Sequence, residues 1–106
     1  MVVIDDDFMR HRVLGSHKVL SAFPMFNPYR AQVAKLEREC STCRGGQARK
    51  QLAEVLNTLR RLIAHMPDAD KKRLREALDI PASNTVLVAY RAPGPDGKPS
   101  IKSVTF

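Results

Sequence analysis

Leu52, Val55, Leu56, Leu59, Leu62, Ile63 and Met66 recur at spacings of three and four residues. That spacing places them on one stripe of a helix over about residues 47–66. No other feature constrains the fold as strongly, because an apolar stripe two heptads long must be covered by something. Lys50, Glu54, Asn57 and Arg61 fall on the opposite, polar face. Pro67-Asp68 stops this helix and opens a shorter one over about 68–79, with Leu74 and Leu78 turned inward. Upstream, Asn27-Pro28 is an N-cap followed by a proline suited to the first helical position. Tyr29, Val33, Leu36 and Cys40 then form one stripe over about 28–43, and Gly45-Gly46 ends it. Short connections make these helices antiparallel neighbours.

The flanks are of a different kind. Residues 1–27 carry Phe8, Leu14, Phe23, Met25 and Phe26 with little periodicity. They read as an extended, apolar docking arm with at most a short helix from Asp5. After Pro81 the period changes. Residues 85–91 are β-branched and apolar on both faces, and residues 100–106 alternate more cleanly. Asp96-Gly97 lies in the turn between them. The expected fold is therefore α+β and mainly α, in three parts. An extended arm (1–27) precedes a helical body (28–80) made of an antiparallel hairpin and a third short helix, and a β-hairpin (81–106) follows. Two strands alone are marginal in water, so the hairpin needs the helices or another chain.

At 106 residues, 43% of them apolar, the chain can bury one modest core. No apolar run approaches the ~18–20 residues of a membrane span. The opening Met-Val-Val-Ile-Asp-Asp-Asp lacks the pattern of a signal peptide. An intracellular or virion location is the expectation. The net charge of +7 is unevenly spread. Residues 28–66 hold eight basic and three acidic side chains, whereas 1–27 hold three of each. Such a surplus permits an anionic partner, with Arg44, Arg49, Lys50, Arg60, Arg61, Lys71, Lys72 and Arg73 as candidate contacts. A solvated basic surface explains the same residues. Six per cent aromatic content without tryptophan offers no stacking platform.

Cys40-Ser-Thr-Cys43-Arg-Gly-Gly46 is the one stretch with metal-ligand spacing. It resembles a copy of the CxxCxGxG repeat of DnaJ-type chaperones, with Gln47 in place of the last glycine. A CxxC at the apex of a helical hairpin also resembles the zinc hook of coiled-coil DNA-repair ATPases, although Ser41-Thr42 stands where the hook usually has a proline. Either resemblance implies zinc on Cys40 and Cys43, but a structural zinc takes four ligands. His11, His17, His65 or a second subunit's CxxC are the candidates for the rest. Two alternatives stand beside zinc: inert cysteines on the stripe of Val33 and Leu36, and a redox pair beside Arg44.

Other chemistry is sparse. Asp5-Asp6-Asp7 reads as an N-cap rather than a cation site. No His-x-x-x-His, GxSxG or phosphate loop occurs in the sequence. The expectation is a non-enzymatic assembly subunit, without a cofactor unless the cysteines hold zinc. Phe8, Leu14, Phe23, Met25, Phe26, Tyr90 and Phe106 would meet protein partners, in a homo-oligomer or a larger assembly. Small phage virion proteins share this style of body plus arm. The alternative is a basic nucleic-acid-binding accessory protein. On the arm reading, deleting residues 1–20 spares folding and abolishes assembly.

Overall fold

Val2, Val3 and Ile4 are three β-branched residues in a row, and they are extended rather than helical. In the computed structural model, which describes residues 1–42, 46–94 and 96–106, they form strand β1 (Val2–Ile4). Helix α1 (Asp6–Phe8) follows and runs on as a π-turn over Met9–Val13. Asp5 caps it, its Oδ1 accepting from the Phe8 amide at 2.8 Å. Next come α2 (His17–Ala22), capped by Ser16, and a 3₁₀ turn over Pro24–Phe26. The long helices are α3 (Asn27–Thr42) and α4 (Gly46–Ala64), with α5 (Asp68–Ala77) behind them. Strands β2 (Val86–Pro93) and β3 (Pro99–Thr105) complete the order. The chain is α+β, with helices predominating among the described residues.

The sheet order is β1-β2-β3. β1 pairs parallel with β2 (Val2 beside Val86, Ile4 beside Val88), and β3 pairs antiparallel, from Leu87 beside Thr105 to Pro93 beside Pro99. The turn between β2 and β3 depends on two glycines. A Cβ at Gly94 would lie 2.4 Å from the Lys98 carbonyl oxygen, and Gly97 has φ +75°. Along β2 the side chains alternate. Val86, Val88 and Tyr90 face the helices and are buried, while Leu87, Ala89 and Arg91 face the other way.

The extended-arm expectation for residues 1–27 is overturned. Ile4, Met9, Val13, Leu14, Val19, Leu20, Phe23 and Phe26 are all buried in the same core as Leu56, Leu59, Ile63 and Leu74. The Phe23 and Phe26 rings stack at 5.6 Å between centroids. The arm is apolar because it supplies much of the core. Polar ties reinforce it: Arg10 Nε donates to Glu37 Oε1 at 2.6 Å, and Arg73 donates to the Ala22 carbonyl at 2.8 Å. A smaller difference concerns Asn27. Its φ of −59° and ψ of −44° are already helical, so α3 continues out of the 3₁₀ turn without an N-cap there.

Asn57 is the second correction. Periodicity puts it on the polar face of α4, yet it is 6% exposed and is the sole buried polar residue among those described. Its Nδ2 donates to the Arg91 carbonyl at 3.0 Å, and its Oδ1 accepts from the Arg91 amide at 2.7 Å. β1 covers β2 only from Val86 to Val88. Beyond that point β2 has a bare edge, and a carboxamide offers one donor and one acceptor, as a neighbouring peptide would. Arg60 continues the seal, donating to the Ala89 carbonyl at 3.0 Å while sitting 3.3 Å from Asp6 Oδ1.

α5 ends with Asp79 at φ +58°, where the amides of Asp79 and Ile80 return to the carbonyls of Glu76 and Arg75. Lys18 Nζ donates to Asp79 Oδ1 at 2.8 Å, which joins the start of α2 to the end of α5. That hydrogen bond, with the ammonium charge behind it, holds the Asp79 carboxyl below its ordinary range.

Three outcomes follow. Deleting residues 1–20 removes β1 and much of the core, and circular dichroism of the truncated chain should show no cooperative melt. Asn57→Ala orphans the Arg91 amide and carbonyl, at a cost of about 2–4 kcal/mol in urea unfolding. Asp79 should titrate low by NMR and rise toward its ordinary value in Lys18→Ala. Because its folded pKa is depressed, its contribution is present above the unfolded carboxyl's pKa and fades as pH falls through the lowered value.

Candidate functional site

A sheet backed by helices on one side has a second side, and here no described residue covers it. The pairing sets the outer face: Val3 on β1, Leu87, Ala89 and Arg91 on β2, and Ile101, Ser103 and Thr105 on β3. Ile101 is 77% exposed and Val3 43%, and Leu87 and Ala89 are half-buried. Arg91 is the only charged side chain of that set, 3.9 Å from Glu54. Exposed sheet faces that meet only water are commonly polar along every strand, so the apolar diagonal from Val3 through Leu87 and Ala89 to Ile101 is the feature to explain.

The partner-binding residues expected from sequence lie elsewhere. Leu14, Phe23, Phe26 and Tyr90 are buried in the chain's own core. Phe8 and Phe106 are half-buried and packed against that core, Phe8 beneath Arg12 and Phe106 beneath Lys71 Nζ at 5.3 Å. Tyr90 is on the helix-facing side of β2, where its hydroxyl meets His65 Nε2 at 2.9 Å. Met25 alone of the set is exposed, at 55%. Ile101, 77% exposed, was missed in sequence because its alternation with Lys102 says that the two take opposite sides of a strand, not which side meets the helices.

The basic residues are divided among several tasks. Arg60 seals the β2 edge. Arg73 lies over the Phe23 ring at 4.9 Å, holds the Ala22 carbonyl and pairs with Asp70, which fixes α2 on α5. Arg75 holds the carbonyls of Pro81, Ala82 and Asn84. Arg61 lines a 260 Å³ hollow with Arg91, Glu54 and Asn57. Arg49 and Lys50 are exposed on the first turns of α4, and Lys72 is exposed on α5. Lys71 and Lys72 border a 320 Å³ hollow beside Phe106, with Arg75, Ala82 and Asp68. Arg44 lies outside the described residues.

Cys43 also lies outside them. Cys40 is half-buried on α3, in line with Val33 and Leu36, and it is a free thiol. Among the described residues, His, Cys, Asp and Glu nowhere gather in a group of three or more able to hold a metal. Asp5, Asp6 and Asp7 separate into a helix cap, a partner of Arg60 and a partner of Arg10. No helix among the described residues is long and apolar enough to cross a membrane.

Comparison with protein-family models, with curated proteins and with solved structures finds no match. The outer face of the sheet and the outward edge of β3 are the surface on which a functional reading can be built.

Proposed function

We propose that this chain is a structural subunit of a protein assembly and that it docks through the outer face of its sheet. The observation that carries this reading is the apolar diagonal across that face, half-buried Leu87 and Ala89 on the middle strand with exposed Val3 and Ile101 at opposite corners, and Arg91 the one charge on the face. Covering such a patch with another protein removes apolar area from water, at roughly 25 cal/mol per Å² before the costs of association. The reading keeps the expectation of a protein partner docked through the C-terminal hairpin, and drops the N-terminal segment, the other expected docking element, because it is in the core. The likeness to small virion proteins rests on a body with an extended arm. With residues 1–27 in the core, it lends this reading no support.

Nucleic-acid binding is the weaker reading. Two of its expected contacts, Arg60 and Arg73, are spent on backbone carbonyls of the chain itself.

Lysine cross-linking followed by mass spectrometry, in the cells that make the protein, tests the docking face. Lys98 in the β2–β3 turn and Lys102 on β3, its side chain on the helix side, are the lysines within linker reach of the sheet's outer face, whereas Lys18, Lys35, Lys50, Lys71 and Lys72 are on the helices. Links to other proteins should concentrate at Lys98 and Lys102. An even spread, or links mainly to Lys18, Lys35 and Lys50, would remove the proposal.

A further inference from the structure

We infer that the outward edge of β3 accepts an extended, acidic segment of a partner protein as a fourth strand. This deepens the docking reading and rests on it. Val86 and Phe106 exchange both backbone hydrogen bonds, Val86 N to Phe106 O at 2.7 Å and Phe106 N to Val86 O at 2.8 Å. In an antiparallel pair such exchanges recur at every second residue. Val104, Lys102 and Ser100 therefore turn their amides and carbonyls toward β2. Ile101, Ser103 and Thr105 turn theirs outward, at the end of the sheet order. The opposite edge of β2 is closed by β1, Asn57 and Arg60. Of the two outer strands β1 is only three residues long, so among the described residues β3 is the longer open edge, and its outward side lacks the usual protection of a proline, bulge or charge beyond Pro99 and Lys102.

Charge decides what would lie there. Side chains of an added strand alternate between the two faces. On the helix side they come level with Lys102 and approach the hollow at the end of β3, where Lys71 and Lys72 face Asp68 while Arg75 is held by backbone carbonyls of the chain. On the outer side they meet Ile101, Ser103 and Thr105, which carry no charge. A segment alternating acidic with β-branched residues satisfies both sides, and opposite charges across a strand pair are favourable. A second copy of this chain fits less well. β3 holds no acidic residue to set against Lys102, and each copy brings a net charge of +7.

The test measures fluorescence anisotropy of the full chain with a labelled peptide of about ten residues, alternating Glu with Val and Thr. A second peptide has the same sequence but is N-methylated at alternate amides, which keeps its charge and removes its strand-pairing donors. A third carries Lys for Glu. Ser103→Pro removes one outward amide at a position where an edge strand tolerates proline, and its melting is checked alongside. Lys102→Glu reverses the charge.

The Glu peptide should bind. N-methylation and Ser103→Pro should each weaken it about tenfold, Lys102→Glu should weaken it, and the Lys peptide should not bind. Equal binding of the N-methylated peptide to the wild-type chain would reduce the effect to charge alone and overturn the inference. So would a dimer, seen by sedimentation, that Ser103→Pro dissolves, because the occupant would then be a second copy. Cross-links concentrated at Lys98 and Lys102 alongside indifference to N-methylation would remove the strand pairing and leave the docking reading standing.

Discussion

The middle strand of a small sheet must have both of its backbone edges satisfied, and β2 achieves this with three unlike partners. β3 covers one edge along its length. On the other, β1 reaches only Val88, and the carboxamide of Asn57 and the guanidinium of Arg60 take over. A buried peptide group without a partner costs about 1–3 kcal/mol, a large share of the stability of a chain this size. The position of α4 over the sheet follows from this need. Asn57 and Arg60 reach β2 only if the Leu56, Leu59 and Ile63 stripe is pressed onto Val86, Val88 and Tyr90, so polar register and apolar packing fix the same geometry.

Much of the helical body was legible in the sequence, because helix stripes are local signals. Val33 and Leu36 on α3, Leu56, Leu59 and Ile63 on α4, Leu74 on α5 and Leu78 just past its end are buried where their spacing puts them. The N-terminal segment was not legible, for a physical reason. Its apolar residues belong to a three-residue strand, a π-turn, a six-residue helix and a 3₁₀ turn, and none of these is long enough to display a period. Asn57 was misplaced for a related reason. Periodicity reports which face of α4 is apolar, but not that a strand edge beside it requires an amide.

The site was less legible than the fold. Aromatic residues drew attention to Phe23, Phe26 and Tyr90, and large rings in a chain this small are first of all core material. The outer sheet face is made of smaller residues, Val3, Ala89, Ser103 and Ile101, whose meaning depends on which side of the sheet each one takes. That depends in turn on the register of Val3 beside Leu87 and of Arg91 beside Ile101. The first pairing joins distant parts of the chain and leaves no trace in local sequence, and the second, although local, does not say which side of the hairpin meets the helices.

The parallel pairing of β1 with β2 also imposes an order on events during synthesis. Residues 2–4 leave the ribosome well before their partners at 86–88. Contacts this distant along a chain form late, because the loop between them must close before they are rewarded. Until then Val2 and Ile4 have no strand to join, and the apolar side of the early helices lacks its sheet. Throughout that interval the nascent chain carries β1 and the apolar side of its early helices uncovered, surface that the finished fold hides.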